Sequence, residues 1–217
     1  MVMTVTMSEN LLNTLYPMFI WSVEKQIGYY PVNGPVPYDR AYFDKYVAYA
    51  ETEMGRRITE FRVKLTNSVT RGMVIDVGCG AGQFIATRGM EITHGFDINP
   101  SSVEWLKKNN VYATPYRPNN YDCMTFWDSL EHIASPLTLL QYCKRYVIVS
   151  IPIFSGPGHV VVSKHFRPDE HYWYFTKHGL VEFMRMAGFS FVSIHDDETR
   201  LGREDIETFV FHRRWRG

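Results

Sequence analysis

Val74-Ile75-Asp76-Val77-Gly78-Cys79-Gly80-Ala81-Gly82 is the stretch on which the fold turns: a short apolar run leads into three glycines at alternate positions, and a helical pattern from Ala81 to Arg88 follows. Glycine has no Cβ, so the backbone can turn tightly here and let a ligand approach, while the first turn of the helix offers unpaired N–H groups. A nucleotide-like molecule suits such a turn. The next apolar run, Ile92 to Phe96, ends at Asp97, nineteen residues past Gly78, where a carboxylate can accept hydrogen bonds from two ribose hydroxyls.

Working outward, short apolar runs alternate with helical patterns. Met73–Val77, Ile92–Phe96, Cys123–Trp127, Tyr146–Ile151, Phe189–Ile194 and Thr208–Phe211 read as strands. Ala81–Arg88, Ser101–Asn109, Ser135–Cys143 and Thr176–Ala187 read as helices, with Asn99 or Ser101 capping the second, and Thr176 as cap and Gly188 as stop for the last. This alternation predicts an α/β fold with a doubly wound, mostly parallel sheet, whose ligand sits beyond the carboxyl ends of the strands. Ahead of it, Asp39 caps a long helical pattern to about Val69, with Gly55 as a candidate break. The expected division is a helical extension or cap over 1–70 and a single compact unit over 71–217 that carries the sheet and the ligand site.

With 217 residues, 45% of them apolar and 21% charged, the chain can bury one full core, and disorder, collagen and coiled coil are excluded. Lys+Arg 23 balance Asp+Glu 23, so no overall field draws in a nucleic-acid backbone or an anionic membrane. Cys79, Cys123 and Cys143 form no C-x-x-C pair, which favours a reducing, cytoplasmic setting and no zinc. Leu11–Val23 is apolar but broken by Asn13, Thr14, Pro17 and Ser22; it is expected as a packing segment or homodimer contact rather than a membrane span.

The glycines follow G-x-G-x-G, because position 83 is Gln83 where a dinucleotide fingerprint would place its third glycine. With Asp76 inside the strand end, this form resembles motif I of the class I S-adenosylmethionine-dependent methyltransferases. Tyr121-Asp122-Cys123-Met124-Thr125-Phe126-Trp127-Asp128-Ser129-Leu130-Glu131-His132-Ile133, followed by Ser135-Pro136, resembles the fourth-strand segment of small standalone members. Lys164-His165-Phe166-Arg167-Pro168, His171-Tyr172-Trp173-Tyr174-Phe175-Thr176 and Ala187-Gly188-Phe189 resemble the region after the fifth strand. The resemblance runs from about Tyr38 to the C-terminus. It implies a Rossmann-like, seven-stranded sheet and S-adenosylmethionine as cofactor, leaving as S-adenosylhomocysteine. It also implies that Asp76, Gly78, Cys79, Gly80 and Gly82 line the methionine part, that Asp97 holds the ribose, that Ile98 packs on adenine, and that Trp127 and Asp128 face the amino-acid end or the methyl group. One departure is that Val111–Asn120 has no acidic residue for the adenine amino group.

Methyl transfer from a sulfonium is an in-line displacement with an activated leaving group, so the protein chiefly aligns the reactants and supplies a base only where the acceptor must lose a proton. His132, His171 and Asp128 are the catalytic candidates, the histidines for their near-neutral pKa. His159, His165 and His171 recur every sixth residue, a spacing that fits no compact zinc pattern, and no metal is expected. Aromatics gather in two segments, from Tyr29 to Tyr49 and from Phe166 to Phe175; both are expected over the carboxyl edge of the sheet, part core and part cap over a small-molecule acceptor. Nucleic acid is the less favoured partner. The Asp/Asn-Pro-Pro-aromatic run of DNA amino-methyltransferases is replaced by Trp127-Asp128-Ser129, and none of the cysteines follows proline as a cytosine-C5 nucleophile would. The alternative from a different class is a non-catalytic binding or scaffold protein that keeps the fold.

Overall fold

The computed structural model describes residues 16–34, 38–118 and 121–214. Chain order begins with two short strands, β1 (Ile20–Ser22) and β2 (Ile27–Tyr29). Helix α1 (Arg40–Ala50) starts on Asp39, whose side chain accepts from the Tyr42 N–H, and α2 (Glu53–Val69) starts on Thr52, which accepts from the Gly55 N–H. The long helical pattern is therefore two helices. Its break lies at Glu51 and Thr52 rather than at Gly55, whose role is close approach: a Cβ there would lie 2.1 Å from the Tyr49 carbonyl oxygen.

The sheet then builds through β3 (Val74–Val77), α3 (Gln83–Arg88), β4 (Thr93–Phe96), α4 (Pro100–Lys108) and β5 (Cys123–Trp127). A single 3-10 turn, Leu130–His132, leads into α5 (Pro136–Leu140) and β6 (Tyr146–Pro152). Next come α6 (Pro157–Val162), β7 (Trp173–Phe175), α7 (Lys177–Met186), β8 (Phe189–His195), α8 (Asp197–Arg200) and β9 (Ile206–Arg213). Asn99 caps α4 and Thr176 caps α7, each through its own side-chain oxygen.

The main sheet has the order β4-β3-β5-β6-β9-β8, parallel from β4 to β6, with β9 and β8 antiparallel at the far side. Among the described residues it has six strands, not the expected seven. Beyond β4 the outer strand shrinks to one bridge, Gly95 to Tyr112, made by the Gly95 N–H on the Val111 carbonyl and the Ala113 N–H on that of Gly95, each at 2.9 Å. Pro115 and Pro118 follow at once, and a proline has no N–H for a ladder. A second sheet, not foreseen, joins β1, β2 and β7 in antiparallel order; it adjoins the main sheet where the Phe154 N–H donates to the Phe175 carbonyl at 2.9 Å.

Side chains alternate across the main sheet and both faces are apolar, as helices on each side require. Ile75, Met124, Phe126, Val147, Val149, Phe209 and Phe211 pack with Leu139 and Leu140 of α5 and Leu180, Phe183 and Met184 of α7. On the other face Val74, Cys123, Trp127, Ile148 and Val210 pack with Leu65 of α2 and Phe84 of α3. Among the described residues no helix is long and apolar enough to cross a membrane.

Candidate functional site

The carboxyl ends of β3, β4 and β5 converge on the glycine loop. Gly78, Gly80 and Gly82 have φ of 76°, 56° and 79°, values that side-chain-bearing residues rarely adopt. Two of them also make room for neighbours: a Cβ on Gly78 would lie 2.5 Å from the Ser129 Cβ, and one on Gly82 would lie 2.2 Å from the Trp105 ring. Gly80 is different. An added Cβ there would meet nothing nearer than the Tyr46 Cγ at 4.0 Å, so the loop presents an open backbone face beneath α1.

Asp97 stands beside that face. Its Oδ2 accepts from the Gly80 N–H and its Oδ1 from the Asn99 N–H, both at 2.8 Å, which fixes the carboxylate plane and leaves further lone pairs on each oxygen. Burial raises its pKa, and the backbone N–H groups of Asn99, Gly80 and Ile98 oppose that rise. Ile98 is 70% exposed, an apolar side chain next to the carboxylate that the described residues leave open. The Cys79 side chain turns away into the cluster of Ile85, Leu106 and Val111, and burial pushes its thiol up, so this residue offers the loop only its backbone.

Asp76 lies below the loop, fully enclosed, and accepts from the Thr125 hydroxyl at 2.7 Å. Burial pushes its carboxyl up to about 7, although Thr125 and the Arg62 charge pull the other way. An unfolded aspartic acid loses its proton near pH ~3.9, so between there and about 7 the folded state keeps a proton that the unfolded state has lost, and stability falls as pH rises through that window. Thermal unfolding at about pH 5 and pH 8 checks it: Asp76→Asn should narrow the gap between the two melting temperatures, and an unchanged gap would count against this assignment.

At the exit of β5, Trp127 is buried against Phe84, with the Arg62 guanidinium 4.9 Å over its ring and its buried Nε1 without a hydrogen-bond partner among the described residues. Asp128 follows with φ of 54° and turns its carboxylate into an ion cluster. Its Oδ2 pairs with Arg62 at 3.2 Å and Arg203 at 2.7 Å; both arginines also hold the fully buried Glu198, at 2.8 and 2.9 Å from Arg62 and 2.5 Å from Arg203, and Ser150 donates to Glu198 at 2.8 Å. Burial works to raise the Asp128 carboxyl, and Arg203 and Arg62 overcome it, holding the group down at about 2. Ser129 closes the corner by donating to the Val77 carbonyl at 2.5 Å.

One turn on, His132 and His171 meet edge to face, ring centroids 4.5 Å apart. The His132 Nδ1 lies 3.1 Å from the Glu170 carbonyl and 3.3 Å from the Tyr38 hydroxyl. Burial lowers the pKa of His132 and lowers that of His171 further, with His132 and Arg167 adding to the fall in His171. The six-residue histidine series does not come together: His159 faces Asp205 at 3.6 Å and His165 bonds the Glu204 carbonyl at 2.9 Å.

Above the loop, Tyr38, Tyr42 and Tyr46 form a row at four-residue spacing, with successive ring centroids 5.0 Å apart and the last two hydroxyls 3.2 Å apart. The Gln83 side chain donates to the Tyr46 carbonyl at 3.0 Å and that of Asn99 to the Asp39 carbonyl at 3.2 Å, pinning α1 over the strand ends. The second aromatic segment behaves otherwise. Tyr174 packs with Phe19, Phe154 and Phe166, and Phe175 stacks on Trp173 and meets Phe183 edge to face in the core; both are fully buried. Sequence reading missed Arg62, Glu198 and Arg203 as companions of Asp128; only the carboxylate beyond a strand end gave any signal.

The profile of the methyltransferase domain family matches residues 46–194. The chain belongs to that family, in its class I, S-adenosylmethionine-dependent branch. Among curated relatives, the ubiquinone biosynthesis O-methyltransferase of Nitrosomonas europaea is 31% identical over 111 residues, 42% of this chain and 47% of that one. Its counterpart in Neisseria meningitidis serogroup A is 28% identical over 92 residues, 34% of this chain and 39% of that one. The matches thus span less than half the length of these relatives. Among solved structures, magnesium protoporphyrin IX methyltransferase from Synechocystis with bound SAH superposes with a TM-score of 0.62 at 17% identity, covering 82% of this chain and 96% of that one. The 1,6-didemethyltoxoflavin-N1-methyltransferase of Burkholderia thailandensis gives 0.56 at 15% identity, covering 88% and 97%. These likenesses establish the shared fold.

Proposed function

We propose that the chain binds S-adenosylmethionine at the glycine loop and transfers its methyl group to an O, N or C nucleophile of a small-molecule acceptor. One observation carries this reading: the open backbone face at Gly80 is flanked by a carboxylate already oriented by two backbone N–H groups and by the exposed Ile98. When bound, the cofactor supplies an activated methyl group on a sulfonium. In this reading the backbone of residues 78–82 takes its methionine part, Asp97 accepts from the ribose hydroxyls, and Ile98 covers an adenine face.

The row Tyr38, Tyr42 and Tyr46 excludes water on the acceptor side, and this is the role we assign to the 1–70 segment. Asp128 is bound to two guanidinium groups, so its part is to hold the β5 exit rather than to accept a proton. His132 and His171 are uncharged near neutral pH and stand at the acceptor side. A small acceptor agrees with the zero net charge and with relatives and neighbours named for quinone, porphyrin and toxoflavin methylation. For a second copy of the chain we propose the Leu11–Val23 segment as contact; its residues 11–15 lie outside the described residues, and Ile20 and Val23 in the rest are exposed.

Incubation with S-adenosylmethionine labelled in the methyl group and a fractionated metabolite extract tests the acceptor class. Label is expected in a small metabolite rather than in a polymer, and label confined to nucleic acid would contradict the reading.

A further inference from the structure

Among the described residues, Glu131, His132 and His171 each bring one donor atom within 4.8 Å of the others'. We propose that these three residues form a binding site for one first-row divalent cation, of the zinc or cobalt kind, beside the glycine loop. No residue spacing hints at it, since Glu131 and His132 come from the turn after β5 and His171 from the segment before β7.

The geometry supports it in three ways. Donors no more than 4.8 Å apart leave a central point within about 2.8 Å of all three, and inward shifts of about 0.7 Å would give bonds of ~2.1 Å. The His132 ring is oriented as a ligand should be: its Nδ1 has the Glu170 carbonyl as acceptor at 3.1 Å, which favours a proton there and leaves the Nε2 lone pair facing the Glu131 Oε1 at 4.0 Å. Glu131 supplies the independent sign of a missing ligand. It is 1% exposed, and among the described residues its buried Oε2 has no hydrogen-bond partner. A buried carboxylate without a partner is costly, and a cation would satisfy it.

Two imidazoles and one carboxylate suit zinc or its neighbours better than magnesium or calcium, which prefer oxygen alone. Three protein ligands also leave a coordination position open to an oxygen-bearing molecule.

Metal binding is read without any methyl transfer, so the outcome is separable from the proposed function. The untagged full chain, stripped with a chelator and shown folded by circular dichroism, is titrated with Co2+. One equivalent should bind with visible d–d absorption, and one equivalent of Zn2+ should displace it. Glu131→Gln and His171→Gln, each with an unchanged dichroism spectrum, should lower affinity by about 100-fold or more, while His159→Gln keeps it. Should a variant fail to fold, long-range 15N NMR of the unaltered chain replaces it: Zn2+ should shift the ring nitrogens of His132 and His171 and leave those of His159 in place. Absence of one-equivalent binding by the unaltered chain, undiminished binding in both folded ligand variants, or shifts confined to other histidines would overturn the proposal.

Discussion

Replacing Asp97 by Ala should weaken binding of both S-adenosylmethionine and S-adenosylhomocysteine by about 100-fold or more, measured by titration calorimetry. Hydrogen bonds to a charged group are each worth roughly 1.5–3 kcal/mol, and a ribose diol would lose two of them. The side chain also holds the Gly80 and Asn99 N–H groups at 2.8 Å, so its removal loosens the loop that faces the cofactor. Asp97→Asn keeps one acceptor oxygen but turns an amide donor toward a group it should accept from, and an intermediate loss is expected. If Asp97→Ala binds within about threefold of the unaltered chain, the carboxylate serves the loop alone.

The largest loss of stability should come from Glu198→Gln. Glu198 is fully buried between Arg62 and Arg203 and accepts from Ser150, so neutralising it leaves two enclosed guanidinium groups to share Asp128. Breaking a buried pair from one side costs about 3–5 kcal/mol, which for a domain of this size lowers the melting temperature by roughly 6–20 °C. Cofactor affinity should fall with it, since Arg62 also covers Trp127 and the cluster sets the backbone at Asp128. A useful contrast is Arg200→Gln. Both Arg200 and its partner Asp196 are largely exposed, and the change should stay within about 0.5 kcal/mol. If the two variants melt alike, the buried cluster does not hold the β5 exit.

The parts of the fold that could be read in the sequence are those where local pattern and tertiary environment agree. Val74–Val77 and Cys123–Trp127 are apolar enough to be buried on both faces, and Asp97 is placed by the end of a strand, so the side we assign to the cofactor follows from short stretches. The side we assign to the acceptor is assembled from distant pieces. Tyr29 pairs with Trp173, His132 meets His171, and Arg62 reaches Glu198; none of these leaves a periodic trace. Three-residue strands such as β1, β2 and β7 are made by pairing rather than by propensity. The aromatic segments show the same limit. Composition put rings in both, but only the fold separates the row Tyr38, Tyr42 and Tyr46, which reaches the loop through Tyr46, from Tyr174 and Phe175, which fill the core.

The open face at Gly80, with Asp97 and Ile98 beside it, is the place we assign to S-adenosylmethionine. Calorimetric titration of the unaltered chain with S-adenosylmethionine and with S-adenosylhomocysteine examines that assignment without reference to any acceptor. One site per chain is expected for each, and in each case Asp97→Ala should abolish most of the heat. A folded chain that binds neither molecule would contradict it.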